Sequence, residues 1–272
     1  MTDLQGVLAD LAAEADAFDR LVADLPADRW TLPTPAPGWT IKHQVGHLAF
    51  IFRIAGMAAA EPAAFTAMTA GIGGGAGFDA AVNGALADYV DDPPEALLAR
   101  WRAERDAGLK ALAAVPADQP VPWLVNPLPP AVLAAAGLME LFAHGQDVAD
   151  ALGVRREATD RLRILAGFAA RTWEFGYQAR GLTPPDTRFR FELVGPAGQR
   201  WTFGPADAEQ VVSGPALDFC LLVTRRRHRA DLSLTASGPE ADHWLDIAQA
   251  YRGPAGPGRQ PGQFARVAAQ PS

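Results

Sequence analysis

The sequence predicts an α protein with a small α+β appendage: a helical bundle over residues 1–182, an α+β domain over 183–258 and an irregular tail at 259–272. Three observations carry this reading. Apolar residues recur at helical spacing through the first two-thirds of the chain. The period then switches to strict alternation at "TRFRFELVG", residues 187–195. Pro- and Gly-rich connectors fall between the periodic stretches rather than inside them.

The elements follow in order. Residues 3–25 form a first amphipathic helix, with Leu4, Leu8, Leu11, Phe18, Leu21 and Leu25 near one face. Pro26 and "LPTPAPGW" (32–39) set an extended loop, because each proline fixes φ and turns the residue before it away from helix. Thr40 caps a second helix over 40–59. "AGIGGGAGF" (70–78) has no preceding strand and no Lys-Ser/Thr after it, so it reads as a mobile loop and not a phosphate cradle. "DDPPEA" opens a third helix over 94–114, and a Pro-rich connector at 115–130 leads to a fourth over 131–152, stopped by Gly153. A fifth covers 159–180. Then "TRFRFELVG", "PAG" and "RWTFG" make a hairpin, "AEQVVSG" a third strand and "GPALDFCLLVT" a helix. "ADLSLTAS" is a short strand, and "PEADHWLDIAQAYRG" closes the domain as a helix.

Composition narrows the function. Hydrophobic residues make up 49% and charged residues 20%, the balance of an ordinary soluble globular chain. A formal charge of −7 offers no general attraction to nucleic acid or anionic membrane, and neither is expected as a partner. The N-terminus lacks a signal-peptide pattern, and no apolar run approaches the roughly 20 residues that span a bilayer. One cysteine, Cys220, excludes an intrachain disulfide and suits the cytoplasm; within "LDFCLLV" it reads as a small core residue.

Three of the five histidines stand in two helices. "MELFAHGQDVADALGV" (139–154) carries Glu140 and His144 four apart, and "WTIKHQVGHLAF" carries His43 and His47 four apart. Positions i and i+4 share a helix face with Cβ atoms about 6 Å apart. Glu140 and His144 therefore either converge on one ion or form a simple polar pair. His47, flanked by Val45, Leu48 and Ala49, turns into the bundle, where an imidazole needs a partner.

"TPAPGWTIKHQVGHLA" followed by "ELFAHGQDVADALGV" resembles the DinB-like metalloprotein superfamily, in particular its mycothiol-dependent maleylpyruvate isomerase-like branch. The resemblance implies a DinB-like four-helix bundle binding one divalent metal, Zn²⁺ or another ion such as Ni²⁺, through His47, Glu140 and His144. The small α+β C-terminal domain fits the same branch. The stretch from "GPALDFCLLVTRRRHRADLSL" onward is similar to a subgroup some of whose members carry a "wyosine base formation" label. One departure stands out: where relatives often have Asp, this chain has His43. That position is N3 of the helix capped by Thr40, where an acid would complete a capping box. His43 is then a weak cap, or else an extra ligand or proton-transfer group. Asp147 lies on a neighbouring part of the helix face and either supports a ligand imidazole or faces solvent; Asp150 reads as surface.

"TRRRHRAD" (224–231) follows a helix. By the resemblance, Arg226 or else Arg225 holds a substrate carboxylate, for which a guanidinium fork is suited; the alternative is a solvated basic turn. His228 and His243 have no ligand-spaced partner. The implied activity is a metal- and mycothiol-dependent isomerase or S-transferase acting on a small electrophilic or unsaturated acid. A small-molecule thiol is then the cosubstrate and the chain a monomer or homodimer. A non-catalytic metal-binding module is the alternative. A role in tRNA modification ranks last, since one cysteine cannot hold an Fe–S radical site.

Overall fold

The computed structural model describes residues 3–70 and 84–264, and the glycine-rich loop reading falls outside them from residue 71 on. The chain divides into two compact units, Met1–Arg156 and Glu157–Ser272. The sequence places that boundary near 182. The difference is the fifth predicted helix, which packs within the second unit.

In the first unit α1 (Leu4–Val22), α2 (Ile41–Ala60), α5 (Pro94–Ala114) and α6 (Pro130–Leu152) form a four-helix bundle. Two helices the sequence reading did not separate, α3 (Pro62–Thr69) and α4 (84–90), lie between α2 and α5 along the chain. Trp101 of α5 is fully buried, with Phe18 of α1 and Phe52 of α2 meeting it edge-on at 5.3 and 5.4 Å. Each such ring contact adds about 1 kcal/mol beyond burial. Small residues bring α2 and α5 close: a Cβ on Gly108 would fall 2.7 Å from the Phe52 carbonyl oxygen. Helix α6 starts on Pro130 at its first turn and ends at Gly153, φ +68, which supplies the left-handed residue. Beyond it Arg156 pairs with buried Glu14 of α1 and donates to the Phe142 carbonyl at 2.9 Å. That ties the far end of α6 to the bundle.

The second unit holds a four-stranded sheet in the order β2-β1-β3-β4: β1 (Phe189–Val194), β2 (Arg200–Phe203), β3 (Gln210–Pro215) and β4 (Thr235–Ser237). β1 pairs antiparallel with β2 and parallel with β3. Phe189, Phe191 and Leu193 alternate inward, and Phe191 meets Phe219 at 5.3 Å and Trp244 at 5.2 Å. Those rings come from α9 (Ala216–Val223) and α10 (Pro239–Ile247). Cys220 is fully buried in α9, with Sγ 3.7 Å from the Leu162 carbonyl. The helix predicted over 159–180 is broken into α7 (Leu162–Arg171) and α8 (Phe175–Gln178). α8 sits so close to the end of α10 that a Cβ on Gly176 would lie 2.3 Å from the Ile247 oxygen. No described helix is long and apolar enough to cross a membrane.

Candidate metal centre

Helix α2 supplies His47 and helix α6 supplies Glu140 and His144. One ligand atom from each lies within 4.8 Å of the others. His144 Nε2 stands 3.1 Å and His47 Nε2 3.4 Å from the same oxygen, Glu140 Oε2. Donor atoms around one tetrahedral ion at about 2.1 Å are about 3.4 Å apart, so the spacing suits a shared cation. Both histidine side chains are 11% exposed, while that of Glu140 keeps 24% of its surface, leaving the cluster more open on the carboxylate side.

A chain of hydrogen bonds orients one of these rings. Thr34 Oγ1 donates to the Trp39 carbonyl at 2.8 Å and accepts from Gln44 Nε2 at 2.8 Å. This turns Gln44 Oε1 toward His144 Nδ1, at 2.5 Å. Nδ1 therefore carries the proton in neutral His144, and the lone pair is on Nε2, facing Glu140. Burial opposes ionisation of the Glu140 carboxyl, but in the alternative state with both rings protonated the hydrogen bonds of His144 and then His47, with their positive charge, reverse the balance. They hold it well below the usual carboxylate range. An ionised carboxylate and an imidazole lone pair 3.1 Å apart repel unless a positive charge lies between them. His47 Nδ1 is buried and has no hydrogen-bond partner among the described residues. Such an orphan costs about 1–3 kcal/mol, more than a single 3.4 Å contact at its Nε2 offsets.

Trp39 roofs the histidines. The loop from Pro33 to Thr40 closes on itself through a bridge between those two residues and a Thr34 N–H to Trp39 O bond of 2.7 Å. The indole lies nearly parallel to His144 at 5.7 Å and tilted against His47 at 5.3 Å. This apolar wall limits water on that side.

The other predicted residues fall as follows. His43 is outside the cluster: its Nδ1 accepts the Thr40 N–H at 3.2 Å and lies 2.8 Å from Thr40 Oγ1, which makes it the N3 partner of a capping box. Burial, and secondarily Lys42, lower its pKa. Asp147 is fully buried one turn after His144. Asp150 accepts from Gln146 at 2.8 Å. Arg225 and Arg226 follow α9 in the second unit, half-buried, with Arg226 donating to the Thr224 carbonyl at 2.7 Å. Sequence reasoning missed Gln44, whose only signal was its place three residues before His47, on the same face of α2.

Residues 11–149, just over half of the chain, match the family described as mycothiol maleylpyruvate isomerase N-terminal domain. Residues 185–237 match a second family, described as wyosine base formation. Two uncharacterized proteins of Mycobacterium tuberculosis, from two strains, are each 48% identical over 260 residues, covering 95% of this chain and 100% of theirs. Two crystal structures of mycothiol-dependent maleylpyruvate isomerase share the fold. The TM-score is 0.59 for a histidine-to-alanine mutant and 0.58 for the other, at 17% identity over 86% of this chain and 93% of theirs.

Proposed function

The chain belongs to the mycothiol maleylpyruvate isomerase N-terminal domain family, and from that premise we propose that it holds one divalent cation, Zn²⁺ or a similar ion, on His47, Glu140 and His144. It uses the site with a low-molecular-weight thiol of the mycothiol type. The reaction is isomerisation of a small unsaturated acid or S-transfer to a small electrophile, in the cytoplasm. The observation that carries the metal reading is the convergence of one ligand atom each from His47, Glu140 and His144 within 4.8 Å of one another, with His144 Nε2 3.1 Å and His47 Nε2 3.4 Å from the same Glu140 oxygen. When bound, the cation would supply Lewis acidity that keeps a thiol ionised near neutral pH.

The chain's own residues do the rest. Glu140 brings negative charge and the exposed side of the site. Gln44 fixes the tautomer and plane of His144, as outer partners of ligating histidines do. Trp39 shields the imidazoles from bulk water, and Asp147 adds a buried carboxylate on α6, one turn after His144. Two histidines and a carboxylate leave coordination positions free, the pattern of catalytic rather than structural sites.

Protein purified without a metal-affinity tag is expected to carry about one divalent ion per chain, and His144→Ala to reduce it to background. Metal-free parent protein that takes up no ion on reconstitution overturns the reading. After cobalt substitution, a thiol that perturbs the visible spectrum supports the enzyme; an unchanged spectrum favours a binding module.

A further inference from the structure

Helices α6 and α9 end in the same hydrogen-bond pattern with different residues at its turn. After α6, Gly153 N–H donates to Asp150 O at 3.3 Å and Val154 N–H to Ala149 O at 3.0 Å, with Gly153 at φ +68. After α9, Arg225 N–H donates to Leu222 O and Arg226 N–H to Leu221 O, both at 2.8 Å, with Arg225 at φ +60. The turn requires a left-handed residue, and glycine is its ordinary occupant because a Cβ there crowds the following carbonyl. Among the described residues Arg225 is the one non-glycine at positive φ. An arginine kept where glycine is easier points to its side chain as the reason.

That side chain lines a cleft of about 280 Å³ together with Arg180, Arg227, His228, Arg229 and Arg259. The one carboxylate in the lining, Asp246, is 3.0 Å from Arg229, which also binds Asp242. Arg180 donates to the carbonyls of Gly176 and Ile247 at 2.8 and 2.9 Å, and Arg225 to that of Gly256 at 3.4 Å. Carbonyls orient a guanidinium without cancelling its charge. Burial and then repulsion from Arg225 hold Arg180 below the usual guanidinium range. His228 Nδ1 accepts the Ala230 N–H at 3.1 Å, so its Nε2 is left as a donor. Gly258 lets its loop lie on Arg225: a Cβ there would fall 2.6 Å from Nη2.

We propose that this cleft binds the phosphate group of a small phosphate monoester. Two uncancelled guanidinium charges in one concavity match the roughly −1.5 to −2 charge of such a group near neutral pH. A single carboxylate would leave one of them unopposed. Guanidinium forks also bind tetrahedral oxyanions in bidentate fashion. The volume, at the small end for ligand sites, has room for a phosphate and a short carbon skeleton. A nucleic-acid strand needs an extended groove with stacking rings. The assignment does not depend on the metal centre.

Calorimetric titration of the full chain with inorganic phosphate and with glycerol phosphate is expected to show saturable binding at one site. Arg225→Gly gives the turn its favoured residue, so it should melt no lower than the parent yet bind phosphate at least tenfold more weakly. Arg180→Gln should weaken binding likewise. Absence of saturable binding, unchanged affinity in Arg225→Gly, or maleate bound more tightly than phosphate would each overturn the proposal. So would displacement of phosphate by a short single-stranded RNA at lower concentration than by glycerol phosphate.

Discussion

At the scale of single residues, the site turns on which nitrogen of each imidazole is committed elsewhere. Gln44 commits His144 Nδ1, and Thr40 commits His43 Nδ1 as an acceptor at 3.2 Å. The same residue type thus serves a cluster at one position and a helix end at another. The cap has a pH consequence. Burial and then Lys42 lower the folded-state pKa of His43, so the unfolded chain takes up the proton first. Its contribution to stability is fully present above the unfolded value of about 6.5 and is lost as pH falls below it. Asp at this position reaches the same Thr40 N–H and adds negative charge near the positive helix end, worth about 0.5 kcal/mol. His43→Asp is therefore expected to raise the urea midpoint. It should also shrink the loss of stability between pH 7.5 and 5.5, with metal content unchanged. A fall in metal content would reassign His43 to the ligand set. The Glu140–His144 spacing was legible in the sequence because i,i+4 geometry is local. The Gln44 contact was not, because the two residues are 100 positions apart and only the crossing of α2 over α6 joins them.

Elements behave according to what their glycines meet. In α5, Gly108 touches the α2 backbone, and a Cβ would stand 2.7 Å from the Phe52 oxygen. In α1, Gly6 is exposed with open space around it. Gly108→Ala is expected to destabilise by about 1–3 kcal/mol, since neither backbone can yield cheaply. Gly6→Ala should stabilise by about 0.5–1 kcal/mol through helix propensity alone. Thermal denaturation of the two variants checks both signs, and a neutral Gly108→Ala would refute the close crossing. Helix α2 also carries His47, so a shift at that crossing is expected to loosen the candidate metal centre as well. Periodicity located α1, α2, α5 and α6, with ends off by a few residues. It ran α7 and α8 together; the chain breaks at Thr172, whose N–H meets the Phe168 and Ala169 carbonyls and whose Oγ1 lies 3.4 Å from the Ala250 oxygen, a distant contact with no local signal.

Across the whole molecule, the candidate ligand set belongs to α2 and α6 of the first unit, while the sheet, α9 and the arginine cleft belong to the second. A ligand that binds only the folded state stabilises what it touches. Chelation is therefore expected to speed amide hydrogen exchange in α2 and α6 and to leave β1, β3 and α9 unchanged. Equal acceleration in the sheet would show that the ion supports more than the bundle. The fold class, the succession from helices to strands and the face shared by Glu140 and His144 could all be read from the chain, because each depends on the spacing of neighbouring residues. The boundary at Arg156, the parallel pairing of β1 with β3, the meeting of His47 with Glu140 and the clustering of Arg180 with Arg225 could not. Each joins residues far apart in sequence, and their proximity follows from how the buried faces of separate elements pack.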